Sequence, residues 1–177
     1  MKKTLIERIE VGSGGAASIT FSSIPTDGTY TDLYLIFSMD SNRSPGVGES
    51  VKVQFNGSAA NFTGRYLYSY GSGNVSGTAT NLLAGSITGN ATANTMGNSS
   101  LYIPNFASSN YKSFSLDASA ENNATEAYLV TQAGLWSNTA AITSINLAPD
   151  LGTLLTEYSS ASLYGITAGN DGTTTVS

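Results

Sequence analysis

Carboxylates and tyrosines are the side chains through which this chain could act on another molecule, because it contains no histidine and no cysteine. Their absence removes the groups that most often move protons near neutral pH, form thiolates and hold transition metals. An ordinary Ser-His-Asp triad is therefore excluded, and no Gly-x-Ser-x-Gly elbow occurs. Asp27, Asp32, Asp40 and Glu49 bracket one expected strand and its loops, where two of them could meet across a glycosidic bond. Each has Gly, Thr or Ser beside it, the setting in which acids cap turns and face water. The turn reading is the expectation. Asp150-Leu151-Gly152 and Asn170-Asp171-Gly172 are single-acid turns without the alternating acids of a calcium loop. Gly71-Ser72-Gly73 lacks the Lys-Ser/Thr that completes a phosphate-cradling loop. No catalytic residue, metal ligand or cofactor is expected.

Tyr66, Tyr68 and Tyr70 recur at every second position, and Trp136 lies on a later apolar segment. Aromatic rings on a β surface can stack on sugars, so these four residues form the candidate contact or glycan-stacking surface. The plainer expectation is that they pack in core or subunit contacts, with hydroxyls reaching the rim.

The elements that must position these residues are short alternating strands. Leu5 to Val11 and Ala17 to Phe21, separated by Gly12-Ser13-Gly14-Gly15, read as an opening hairpin. Thr31 to Met39 has apolar residues on both parities, which predicts a central strand covered on each side. Ser41 to Gly48 is a loop. Val51 to Phe55 is a strand stopped by Asn56-Gly57. From Gly71 to Asn98 the periodicity fades, leaving an exposed excursion or two weak strands around Leu82-Leu83 and Ile87. Later strands are expected at Leu101 to Ile103, Phe114 to Ala118, Ala127 to Trp136, Ala141 to Leu147 and Ser160 to Ile166. Glu121-Asn122-Asn123 reads as a turn, and Leu151 to Tyr158 as a helical turn or two. Eight to ten strands with no sustained 3.6-residue period predict an all-β, antiparallel, jelly-roll-like sandwich. It is expected as one domain over residues 1–168, with the excursion at about 71–98 and a polar tail over 169–177.

The 177 residues suit one core, and 40% apolar with 10% aromatic content marks a globular chain. A net charge of −5 argues against nucleic acid as a partner. The basic residues are scattered apart from Lys2-Lys3. No run approaches the roughly 20 apolar residues of a membrane helix. Near the start, Glu7, Arg8 and Glu10 interrupt Thr4-Leu5-Ile6, so no export signal is expected and synthesis in a cytoplasm is.

Four stretches become recognisable together. They are Ala16 to Pro25 with Tyr30-Thr31-Asp32-Leu33; Val51 to Gly57 with Asn61-Phe62-Thr63; Leu135 to Ile145; and Ser160 to Ile166. Their order and spacing resemble a group of small virion structural proteins of tailed bacteriophages, especially of marine and cyanobacterial phages. Residues 71–98 carry none of the likeness. The resemblance implies a β-sandwich on the virion, as a non-enzymatic capsid decoration or cement protein. Its alternative is a tail fibre or appendage domain that binds a host receptor or surface glycan. The implied partners are sister copies, with a trimer as the first guess, and the phage major capsid protein or tail proteins. Assembly would take place in the host cytoplasm.

Overall fold

Small polar residues alternating with apolar ones, and few long helix-favouring side chains, leave strands as the regular structure this chain can build. A computed structural model describes residues 2–43, 49–71, 73–80, 83–89, 95–121 and 127–167. Among them lie twelve strands and no helix: β1 (Lys2–Glu10), β2 (Ile19–Phe21), β3 (Asp32–Ser41), β4 (Glu49–Phe55), β5 (Phe62–Tyr70), β6 (Gly73–Ala79), β7 (Leu83–Gly89), β8 (Gly97–Ile103), β9 (Lys112–Glu121), β10 (Ala127–Trp136), β11 (Ile145–Pro149) and β12 (Ser160–Thr167). The expected tail 169–177, the Asn170-Asp171-Gly172 turn, most of the Ser41–Gly48 loop, Leu82 and the Asn122-Asn123 turn lie outside the described residues.

Eight strands form one antiparallel sheet in the order β1-β12-β3-β8-β9-β10-β5-β6. A smaller sheet, β2-β11-β4-β7, lies over part of it. At one end β7 also meets β3 in a short parallel pairing, Asp40 with Thr88 and Ser41 with Gly89. The chain is thus the all-β antiparallel sandwich its alternation predicts. It has more strands than the expected eight to ten, and its layers are uneven.

The core is one cluster between the layers. Leu33, Leu35, Phe37 and Met39 of β3 and Leu101 and Ile103 of β8 are buried with Ile19 and Phe21 of β2, Val51 and Val53 of β4, and Ile145 and Leu147 of β11. At one end the cluster is aromatic. Phe55 lies 5.3 Å from Phe62, 5.5 Å from Trp136 and 6.2 Å from Phe114, mostly edge-on or tilted. Such rings bury large areas and gain further from their offset geometry. Phe114 reaches this cluster by lying across Gly134 of the neighbouring strand, where a Cβ would fall inside its ring.

Three local expectations are corrected. No opening hairpin forms: β1 pairs with β12, and β2 pairs with β11. Gly14 and Gly15, both at positive φ, turn the chain off the large sheet, and Ala16 bonds Leu155 instead (3.0 and 2.8 Å). The stretch Leu151 to Tyr158 makes no helical turn. Its first amides are taken by side chains: Leu151 and Gly152 donate to Glu49, and Thr153 and Leu154 donate to Asn42. Lastly, β3 is central but covered on one face only among the described residues. Tyr34 and Ile36 point to the outer side, where Ile36 is 36% exposed.

The described parts of the excursion form strands. Residues 73–79 form β6 in a hairpin with β5, and 83–89 form β7 of the smaller sheet. The Asn56-Gly57 turn is also confirmed, with φ of 52° and 72° and reciprocal bonds between Phe55 and Ser58. It hands the chain from the small sheet to the large one rather than closing a hairpin, since β5 pairs with β10 and β6.

Replacing the seat under Phe114 tests the aromatic junction. Gly134→Ala should lower unfolding free energy by about 1–3 kcal/mol, the usual penalty for overpacking. Urea denaturation of the two proteins checks it.

Candidate functional site

Along β5 the inward parity runs Phe62, Gly64, Tyr66, Tyr68, Tyr70. Phe62 is buried in the aromatic cluster, Tyr66 and Tyr68 are half-buried, and Tyr70 is 42% exposed. The tyrosines therefore continue the core face past the cover that buries Phe62. Their rings form a ladder: Tyr66 to Tyr68 5.9 Å, Tyr68 to Tyr70 5.5 Å, and Tyr70 to Tyr128 of β10 6.0 Å, at interplanar angles of 33°, 30° and 13°. Tyr128 is the direct cross-strand partner of Tyr70.

One glycine of β6 makes room for the first of these rings. Tyr66 pairs with Gly77, whose absent Cβ leaves a place filled by the phenol, and Tyr70 pairs with Gly73. A ring laid over a strand glycine shields backbone that would otherwise be bare. Gly77, within the stretch where the periodicity fades, is the seat of the Tyr66 ring.

Trp136 does not belong to this surface. It is 1% exposed and packs against Phe55 and Phe62 (5.5 and 6.3 Å) at the opposite end of β10 from Tyr128. It shares the inward parity with Tyr128, but Trp136 faces Phe62 under the cover while Tyr128 faces Tyr70 beyond it. Parity alone does not distinguish the two ends of a strand. The expected surface is corrected to Tyr66, Tyr68 and Tyr70, with Tyr128 added. The signal for Tyr128 was its place on the same parity of β10.

Because the interior rings stack on one another, Tyr68 has neighbours at both faces and offers mainly its edge and hydroxyl. A sugar seeks an open ring face. The ladder is better suited to an apolar, edge-on protein contact.

The outer side of the same sheet carries apolar residues that the alternation hid. Leu67 of β5 and Leu129 of β10 are 51% and 65% exposed, and with Ile36 they border an open groove of about 660 Å³. Its floor is polar, with Ser100, Asp117 and Thr131 in one cross-strand row. Leu67 lies between tyrosines and was read only as their spacer.

The acids are occupied separately. The Thr29 side chain, and then the Thr29 amide that donates to Asp27 at 3.0 Å, hold its carboxyl below the usual range. Asp32 accepts the Tyr102 hydroxyl and the Asn105 amide, each at 2.9 Å. Asp40 accepts the Thr156 hydroxyl at 3.3 Å. Glu49, buried, accepts the amides of Leu151 (2.9 Å) and Gly152 (2.6 Å) and the Ser41 hydroxyl (3.2 Å). Asp150 pairs with Lys52 at 3.0 Å. No group of three or more His, Cys, Asp or Glu stands together among the described residues. Lys112 is buried too, and its Nζ donates to the Ser108 and Asn110 carbonyls at 2.6 and 2.7 Å. Burial pushes its pKa down, and its work is to close the 104–111 loop.

Comparison with known proteins yields no matching family model, no matching curated protein and no matching solved structure.

Burial, then the hydrogen bond to Asp32 and its charge, raise the Tyr102 phenol above its ordinary value. A raised folded-state pKa contributes stability that is complete below the ordinary tyrosine range and lost as pH rises through the raised value. Tyr102→Phe should lower stability at pH 7 by about 1.5–3 kcal/mol, the worth of a hydrogen bond to a charged acceptor. That difference should shrink above pH about 10. Thermal denaturation at neutral and alkaline pH checks both, and a gap constant with pH contradicts the assignment.

Proposed function

We propose that this protein is a non-enzymatic virion structural protein of a tailed bacteriophage, acting as a capsid decoration or cement unit. The observation that carries the reading is the β5–β6 end of the large sheet, which no second layer covers among the described residues. Its inward face bears the tyrosine ladder and its outward face bears Leu67 beside Leu129, while β5 and β6 hold one charged residue between them, Arg65. Surface of this kind is built to be buried against protein. Tyrosine adds large contact area with few rotatable bonds to order, and it is enriched at interface centres.

Cement action needs no chemistry. A protein that binds the assembled shell and not its separated parts stabilises the shell by mass action. Sister copies and the major capsid protein supply the opposing surfaces in this reading. The four stretches that resemble phage virion proteins support it from the sequence side, and a surface rich in Ser, Thr, Asn and Gly tolerates close packing of like copies without charge repulsion.

Particles assembled without the protein should lose infectivity at lower temperature and under osmotic shock than complete particles. Adding back purified protein should restore them. Protein carrying Tyr68→Ser and Tyr70→Ser should fold but rebind at least tenfold more weakly, because two interface tyrosines are each worth about 1–2 kcal/mol. Particles of unchanged robustness without the protein contradict the cement role.

A further inference from the structure

Apart from β7, which meets β3 at one end, the described sheets end in three free strand edges, and they are not alike. β1 bears Lys2, Lys3, Glu7, Arg8 and Glu10 and is interrupted by a register shift between Leu5 and Glu7. β2 is three residues long. Charge, irregularity and shortness are the devices by which proteins keep sheet edges from pairing with other chains. β6 has none of them. Its seven residues, Gly73-Asn-Val-Ser-Gly-Thr-Ala79, hold no charge and no proline, pair with β5 in unbroken register from Gly64–Ala79 to Tyr70–Gly73, and pair with nothing else among the described residues.

We propose that β6 is a self-pairing edge: two copies of this chain join β6 to β6, antiparallel, about a twofold axis at Ser76, making one continuous sheet. The occupant is a second copy because the strand complements itself. Reversal about Ser76 sets Ser76 opposite Ser76 and Asn74 opposite Thr78 on the exposed outer face, which are hydrogen-bonding pairs with no like charges. On the ladder face it sets Val75 of one copy opposite Gly77 of the other, against the edge of the Tyr66 ring that already lies there. Such a contact is isologous. It cannot close a trimer, though it can join two of them. It rests on the chemistry of the edge and holds whether or not the protein belongs to a virion.

The contact is small, so its affinity falls in the micromolar range and sedimentation is followed over a dilution series up to about a hundred micromolar. The average mass of the native protein should double across the series. Ser76→Lys and Ser76→Asp should each stop the doubling, with circular dichroism unchanged since the side chain is exposed. Mixing the two variants in equal amounts should restore it. Because the chain has no cysteine, Ser76→Cys supplies a unique thiol. Paired antiparallel residues lie about 4.5–5.5 Å apart at Cα, within disulfide reach. Oxidation should convert Ser76→Cys to a covalent dimer at least tenfold faster than Ser113→Cys, an exposed position inside the sheet on β9. Equal cross-linking rates, a native protein that keeps one mass throughout, or a Ser76→Lys protein that doubles as the native one does would each overturn the proposal.

Discussion

An aromatic ring filling the place of the Cβ that a strand glycine lacks is the contact on which this sandwich depends. Phe114 over Gly134 draws β9 and β10 into the aromatic cluster with Phe55, Phe62 and Trp136, where the small sheet meets the large one. Tyr30 lies likewise over Gly165 of β12. Tyr66 repeats the arrangement over Gly77, where no second sheet covers it among the described residues. Each pair replaces two medium side chains by one large and one absent. This lets a thin, Ser- and Thr-rich fold bury enough apolar area from few residues.

Around that core, polar side chains act as brackets on the loops. Asn56 accepts the amides of Thr143 and Ser144 and donates to the Ala141 carbonyl. Glu49 and Asn42 likewise accept the amides of residues 151–154. These segments have no regular secondary structure, so their backbone groups need such partners when they are drawn against the core. The acids and amides that might have suggested a reactive centre are spent on holding loops in place.

Much of this was legible from residue order. Two-residue alternation marked β3, β4, β8, β9, β10 and β12 because a half-buried strand imposes it directly. Asn56-Gly57 announced its turn because few residues adopt two successive positive φ angles. Pairing was less legible. Gly12 to Gly15 looks like a hairpin turn, and only the competing bonds of Leu155 to Ala16 send β2 elsewhere. The helical turn expected at Leu151 failed for a comparable reason, since Glu49 is about a hundred residues away in the chain and captures its amides. The tyrosines were recognisable as a set, but burial depends on how far the second layer extends. That boundary separates Trp136 from Tyr128 and is written nowhere in β10 itself.

The strand order has a kinetic corollary. β12 sits between β1 and β3, so the earliest strand has no partner until residues 160–167 have been made. A chain emerging from the ribosome must carry β1 and one margin of β3 unpaired while the residues between them and β12 are made. Contacts so distant in sequence form slowly, and unpaired strands invite wrong partners while they wait. The charges of β1 thus have a second use, keeping a nascent segment soluble until the strand that locks it arrives.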